Sequence, residues 1–538
     1  MRRSLQWLRN GVLTLLTALL AASAAVAQPA PAPLAGLDAY IEAAIKDWGI
    51  AGLAVAIVKD DSVVYLRGFG VREGDRPERV DANTVFAIGS NTKLFTAVAA
   101  GMLVDAGRIG WDEPVTTYLR GFQLHDPWVT REVTLRDLLS HRTGLGEQRG
   151  NMVAFASALD RGEVLRRVRF LRPASSFRSQ FAYQNLGLLA AGEAAAAAGG
   201  VSWDDLVKDR VLRPLGMSAT GTSVRDLAAQ RNVATPHSNL DGRLAAIPWR
   251  NIDNIGPAGS INSNATDMAR WVRFLLANGR ASGTQLLQPT TLHEIESPQS
   301  IVRCPTDSLR PSVHFCAYGL GVLMNDYLGV KVLSHTGGID GMLSDVVLVP
   351  ERRLGIVVLT NTDGHNALFV AVARQILDAY LGAPTRDWSA LLLAETRQQE
   401  RALHAMEAAA EARRPRNTRP SLPLAAYGGR YANQMYGELV VEPDGRQLVL
   451  RFEPTLTGDL EHWAHDTYKL TWRGAGNRDV LGPTFVTFVV DPFGKATSLR
   501  LRDDVLRLPG QGAWDADEFV RVDERAPTVA GPAGGPKP

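Results

Sequence analysis

Ser90-Asn91-Thr92-Lys93 is the segment of this 538-residue chain best suited to covalent chemistry. A serine hydroxyl is a weak nucleophile until a neighbouring base takes its proton. The following run, Leu94 to Val104, is apolar on most sides and reads as a buried helix opened by Ser90. An i,i+3 spacing then sets Lys93 on the face of Ser90, within reach of its hydroxyl. Burial and the positive helix N-terminus both lower a lysine pKa, and a neutral amine accepts the serine proton. An N-capping serine followed by a surface lysine would give the same four letters, so the pair needs support from elsewhere in the chain.

Two further segments supply it. Tyr183-Gln184-Asn185 precedes the apolar run Leu186 to Ala191. A tyrosine beside a lysine ammonium can be stabilised as phenolate and act as a base, and an asparagine amide can hold a substrate carbonyl. An ordinary buried tyrosine with a helix-capping asparagine would look alike. His335-Thr336-Gly337-Gly338 lies on a strand-like run that begins at Val330. Its glycines let the backbone approach a ligand closely, and a main-chain N–H there could pair with that of Ser90 as an oxyanion hole. A Gly-rich turn between strands is the plainer alternative. The chain has no G-x-S-x-G elbow, Walker loop, strand-linked G-x-G-x-x-G or H-E-x-x-H helix, so those enzyme classes lose support.

These residues must be held by the elements around them. Residues 52–58 (GLAVAIV) and 62–69 (SVVYLRGF) read as a hairpin around Lys59-Asp60-Asp61, and residues 346–349 and 354–359 as a second one. Mainly helical patterns lie between, which gives an α/β (α+β) expectation of helices inserted in one antiparallel sheet. Asn264 and Asp267, followed by Met268, Trp271, Val272 and Leu275, mark a capped amphipathic helix. An Ala-, Glu- and Arg-rich helix and a Pro-containing linker follow, and from Tyr427 to Val522 short alternating runs predict a small antiparallel barrel.

Taken together and in this order, the three segments resemble the class C β-lactamase / D-Ala-D-Ala carboxypeptidase family of penicillin-recognising serine hydrolases. Supporting stretches are Thr134 to Leu145 (TLRDLLSHRTGL), Pro214-Leu215-Gly216-Met217, Pro257-Ala258-Gly259-Ser260 with Asp267-Met268-Ala269, and Tyr318-Gly319-Leu320-Gly321. The resemblance implies that Ser90 is acylated, that Lys93 and Tyr183 manage its proton, and that Asn185, His335 and Thr336 bind substrate. It places the oxyanion hole at the N–H groups of Ser90 and Gly338. It also implies a β-lactamase/transpeptidase-like sheet flanked by helices, followed by a lipocalin-like barrel. The expected organisation is a signal peptide at 1–27, a linker at 28–36, the hydrolase at 37–385, a helical linker at 386–424, the barrel at 425–524 and a disordered tail at 525–538. His141 resembles a structural loop residue of the family rather than a triad histidine.

Typical class C β-lactamases carry lysine where this chain has His335, and in this the chain resembles certain D,D-peptidases and D-amino-acid peptidases of the family, which also have histidine. A mostly neutral histidine holds a substrate carboxylate less strongly, which favours amide or ester hydrolysis, above all of peptides with D-residues, over β-lactam hydrolysis. A class C-like β-lactamase and a catalytically weak binding protein of the same fold are the alternatives.

Composition narrows the partners. Formal charge is +2, and about −1 once Arg2, Arg3 and Arg9 leave with the leader, so no nucleic acid is expected. The apolar stretch from Gly11 to about Ala27 is short for a membrane span and ends in Ala25-Val26-Ala27, which predicts export to the periplasm or beyond with no stable membrane span. Cys304 and Cys316 could close one disulfide there. His462 and His465, if both on one strand, point to opposite faces and cannot easily share a metal. No metal or cofactor is expected, the partner is a small-molecule or peptide substrate, and the sequence leaves the oligomeric state open.

Overall fold

The computed structural model describes residues 32–155, 157–240, 243–304, 313–364, 366–452, 455–503 and 514–522. The expected leader and the tail beyond 524 lie outside these residues. The apolar run at Gly52 forms strand β1 (Gly52–Lys59), turns over Asp60 and Asp61 with left-handed φ, and returns as β2 (Ser62–Gly70). Six more strands complete the sheet: β3 (Ser300–Ile301), β4 (Cys316–Tyr318), β5 (Leu323–Tyr327), β6 (Val330–Ile339), β7 (Met342–Val349) and β8 (Leu354–Thr360). Their order is β2-β1-β8-β7-β6-β5-β4-β3, antiparallel throughout. Leu53 pairs with Thr360, so the two expected hairpins are neighbours and form one half of the sheet, with β2 at its edge.

Helices α1 (Leu37–Trp48), α2 (Thr92–Asp105), α3 (Asn185–Gly199), α4 (Ala265–Leu276) and α5 (Leu368–Leu381) build the layers on its two faces. Alternate side chains of a strand point to opposite faces. Leu53, Val55 and Ile57 therefore join α1 and α5 in one core, while Ala54, Ala56 and Val58 join α2, α3 and α4 in the other. Burial on both faces explains why β1 reads as a continuous apolar run instead of alternating with polar residues. Asn264 caps α4 by accepting from the Asp267 N–H at 2.7 Å. Cys304 and Cys316 are disulfide-bonded, with Cα atoms 5.2 Å apart, tying the start of β4 to the segment after β3.

The Ala-, Glu- and Arg-rich stretch forms one 26-residue helix, α6 (Trp388–Arg413). Beyond it, strands β9 (Gly429–Asn433), β10 (Gly437–Asp444), β11 (Gln447–Phe452), β12 (Leu456–Ala464), β13 (Thr467–Trp472), β14 (Thr484–Val490), β15 (Ala496–Arg502) and β16 (Asp515–Arg521) close into an antiparallel barrel, with β9 pairing β16. Tyr427, Tyr431, Tyr468 and Phe488 meet edge to face or tilted in this region. His465 sits in the turn after β12 instead of on the strand, and His462 Nε2 is 2.9 Å from its carbonyl oxygen. Among the described residues no group of His, Cys, Asp and Glu could hold a metal ion, and no helix is long and apolar enough to cross a membrane.

One buried carboxylate organises the loops between α2 and α3. Asp137 completes a capping box with Thr134 and takes Arg142 Nε at 2.6 Å and Arg178 Nη2 at 2.8 Å. Burial alone would raise its pKa, but Arg178, Arg142 and the Thr134 donors outweigh that and hold the carboxyl below its usual range. A depressed folded pKa contributes stability that is complete above the unfolded value of about 3.9 and is lost as pH falls through the lower folded value. Asp137→Ala removes one partner of a buried ion network and is expected to cost about 3 kcal/mol. Urea denaturation at neutral pH checks this, and the gap to wild type should shrink below about pH 4.

Candidate active site

The nucleophile candidate stands where a short ribbon meets the sheet. Phe86 and Ala87 pair with Ser263 and Asn262, and the Ile88 N–H donates to the Ile261 carbonyl at 3.0 Å. The chain then makes a tight 3₁₀ turn over Gly89–Asn91, and α2 begins at Thr92, so Ser90 precedes the helix by one turn rather than opening it. Gly89 has φ 51°, and a Cβ there would lie 2.5 Å from the Gly338 nitrogen. Gly337 is as constrained: a Cβ would lie 1.9 Å from the Ile88 oxygen. These two glycines let β6 cross directly against the Ser90 turn. Ser344 on β7 locks the crossing, accepting from Asn91 Nδ2 and donating to the Ile88 carbonyl, both at 2.8 Å.

Lys93 is fully buried. Its Nζ lies 2.9 Å from Ser90 Oγ and 2.7 Å from the Ala258 carbonyl oxygen. Desolvation pushes its pKa well below that of an ordinary lysine. A neutral amine suits both partners: one N–H goes to Ala258, and the lone pair accepts the Ser90 hydroxyl. The helix around it is held by stacking of Phe95 on Trp271 with centroids 3.8 Å apart, and by Thr96, which donates to the Pro257 carbonyl at 2.7 Å.

Tyr183 donates to Ser90 Oγ at 2.8 Å. Its backbone is pinned on both sides, because the Ala182 N–H donates to the His141 carbonyl and the Gln148 N–H to the Tyr183 carbonyl. Burial raises the Tyr183 phenol above its usual value, against the lowering effect of the Ser90 hydrogen bond. Burial thus works against the phenolate that the sequence allowed, as it works against the Lys93 ammonium. Gln184 caps α3 by accepting from the Leu186 N–H at 3.2 Å. Asn185, the first residue of α3, therefore has no capping duty, and among the described residues its side chain has no hydrogen-bond partner.

His335 to Gly338 lie within β6, with the tight turn coming only afterwards at Asp340 and Gly341. His335 Nδ1 is 2.6 Å from the Thr336 carbonyl, which can only accept, so Nδ1 carries the proton. Nε2 then accepts from the Tyr318 hydroxyl at 2.9 Å. Burial and the neighbouring Lys93 push the imidazole down to about 3, against the Thr336 carbonyl, and His335 is neutral at physiological pH. Thr336 is exposed, and so is Gly338. His141 is buried with left-handed φ; its Nδ1 accepts the Gln184 N–H at 3.0 Å, which fits a positioning role and no triad.

The structure thus brings Ser90, Lys93, Tyr183, His335 and Gly338 to one place, with Asn185 at the adjoining helix start. Sequence reasoning gave no role to Tyr318, Ser344 or the Ala258 carbonyl. Each lies in or near a segment that resembled the family, and that resemblance was the available signal. The barrel reaches the same region: Met435 packs beside Gly150, and Asn477 accepts from Arg250, which also binds Asp340 after β6.

Residues 37–381 match the model of the Beta-lactamase family. The chain belongs to that family. Residues 413–517 match a domain of unknown function (DUF3471), in the barrel region. Among curated members, the unguisins hydrolase ungD of Aspergillus violaceofuscus is 29% identical over 498 residues, covering 84% of this chain and 86% of that one. Penicillin-binding protein 4 of Amycolatopsis lactamdurans is 28% identical over 346 residues, covering 62% of this chain and 86% of its own. The octameric penicillin-binding protein homologue from Pyrococcus abyssi superposes with a TM-score of 0.59 at 20% identity over 91% of this chain and all of that one, a likeness of fold.

For this Beta-lactamase family member, Gly337→Ala is expected to push β6 off the Ser90 turn, since its Cβ would also lie 2.6 Å from Ser344 Oγ. Labelling of Ser90 by a fluorophosphonate should slow by roughly a hundredfold, the size of losing one oxyanion donor, while the far-ultraviolet circular dichroism is retained.

Proposed function

We propose that this protein is an exported serine hydrolase that cleaves amide or ester bonds through an acyl-enzyme, with peptides containing D-residues as the favoured substrates and small esters next. The observation that carries this reading is the contact of Ser90 Oγ with both Lys93 Nζ and the Tyr183 hydroxyl, at 2.9 and 2.8 Å, around a lysine with no solvent exposure. Neutral Lys93 takes the Ser90 proton as Oγ attacks the carbonyl carbon. The oxygen that becomes negative is held by the N–H groups of Ser90 and Gly338. Tyr183 passes a proton to the leaving amine or alkoxide and is reprotonated from Lys93, which restores the neutral amine. Water enters after the leaving group departs and attacks the ester carbonyl as it gives a proton to the same pair; the pair returns that proton to Ser90 Oγ as the carbon–Oγ bond breaks, releasing the acid and restoring the serine. Asn185, with its unengaged amide, binds a substrate carbonyl.

The absence of a lysine at position 335 favours peptides and esters over β-lactams. Relatives named as a hydrolase and as a penicillin-binding protein fit an enzyme that acylates on serine. The Cys304–Cys316 disulfide fits an oxidising compartment outside the cytosol.

Ser90→Ala is expected to abolish hydrolysis and the fluorophosphonate adduct; full activity in that variant would refute the reading. The pH profile offers an independent check. Activity should rise with pH as Lys93 loses its proton, at a pH well below an ordinary lysine because burial disfavours the ammonium. With His335 held near 3, kcat/KM should show no histidine limb between about pH 5 and 8.

A further inference from the structure

The turn between β9 and β10 faces two ways. Asn433 accepts from the N–H groups of Met435 and Tyr436 at 2.8 and 3.1 Å, which fixes the turn. Tyr436 is buried within the barrel beside Trp514 and Phe519, with centroids 5.5 and 6.1 Å apart. Met435 is buried as well, but against the hydrolase. A Cβ built on Gly150 would lie 2.9 Å from Met435 Cε, 3.0 Å from Leu171 Cδ2 and 3.2 Å from Leu186 Cδ1, so three side chains converge on that glycine. An unbranched thioether suits such an irregular gap. At the base of the same hairpin a Cβ on Gly437 would lie 2.8 Å from Arg167 Nη1, so its second strand also rests on the hydrolase.

Gly150 belongs to the loop that supports Tyr183. The Gln148 N–H donates to the Tyr183 carbonyl at 2.8 Å, and Gln184 Nε2 donates to the carbonyls of Gly146 and Arg149 at 3.1 and 3.0 Å. Leu186 stands in the first turn of α3, three residues after Tyr183. One loop therefore joins Met435 on its outer side to Tyr183, whose hydroxyl touches Ser90 Oγ, on its inner side. Ser90 and Lys93 are secured elsewhere, by the Ser344 bond to the Ile88 carbonyl and by the Ala258 carbonyl. Removing the Met435 side chain thus loosens Tyr183 and leaves the nucleophile and its base in place.

We propose that Met435 is a positioning residue for Tyr183, supplied to the active site by the barrel, and that this contact makes the barrel part of the catalytic unit for substrates whose leaving group must be protonated. It rests on the serine-hydrolase reading above, in which Lys93 takes the Ser90 proton and Tyr183 gives one to the leaving group. An amide nitrogen departs only with a proton gained as the carbon–nitrogen bond breaks, whereas a nitrophenolate departs as the anion. Acylation by an amide therefore needs Tyr183 in place, and acylation by a nitrophenyl ester does not.

A matched pair tests this: N-acetyl-D-alanine as its 4-nitroanilide and as its 4-nitrophenyl ester. Both give one acyl-enzyme, and kcat/KM ends at acylation, so later steps cancel in the ratio of the two. In Met435→Ala the anilide-to-ester ratio should fall roughly tenfold or more, with ester turnover and fluorophosphonate labelling within about threefold of wild type. Met435→Leu, which keeps the volume, should keep the ratio. In a Tyr183→Phe background Met435→Ala should lower the ratio no further, because both act through one proton. A ratio unchanged in Met435→Ala, an equal loss for both substrates, a ratio lost in Met435→Leu or an additive loss in the double variant overturns the proposal. If Met435→Ala does not fold, Met435→Val, shorter and still apolar, decides by the same ratio. Failure of the underlying reading would show separately, as an anilide that the wild type does not cleave, hydrolysis that survives in Ser90→Ala, or a ratio unaltered in Tyr183→Phe.

Discussion

The dehydration of Lys93 is the constraint on which the rest of this site depends. An ammonium without water and without a counter-ion is costly enough that the group gives up its proton, so burial converts a cation into a base. The residue can stay buried because its amine is not left unpaired: Ala258 supplies a carbonyl and Ser90 a hydroxyl. Thr92 through Leu103 are buried on every side, which no surface helix could sustain.

The same dryness governs the neighbours. Tyr183 stays a phenol, and His335 and His141 stay neutral, because each charged form would be stripped of solvent close to the others. Burial therefore disfavours charge on every group in contact with Ser90 Oγ, which suits a site that redistributes one proton when a carbonyl arrives. Charge is kept at a distance, in the Asp137 network that shapes the loop bearing His141 and Tyr183.

Geometry at this scale comes from crossing backbones. Strand β6 can pass against the Ser90 turn only because Gly89 and Gly337 have no side chains, and Ser344 fastens the crossing from the next strand. The sheet that carries β6 is rigid for a separate reason, since its central strands are sealed on both faces by apolar helices. Met435 and Asn477 add contacts from the barrel to the loops around the site.

Much of this was legible in the amino-acid order. Local apolar runs and periodicity marked β1, β2, the second half of β7, β8, α4 and the short-strand character of the barrel, because these patterns are set within a few residues. The spacing of Ser90 and Lys93 on one helical turn was legible for the same reason. Other features were not, since they depend on partners distant in the chain. The Ala258 carbonyl, the Ser344 clasp and the Tyr318 hydroxyl contact the site across folds that no local pattern encodes. Protonation was legible only in part: the buried helix pointed to a lowered Lys93 and the residue type to a mostly neutral His335, but nothing local showed that Tyr183 would be buried enough to hold its proton. How far burial disfavours each charged form was decided by the tertiary structure, because the cost of a charge is set by the water and dipoles left around it.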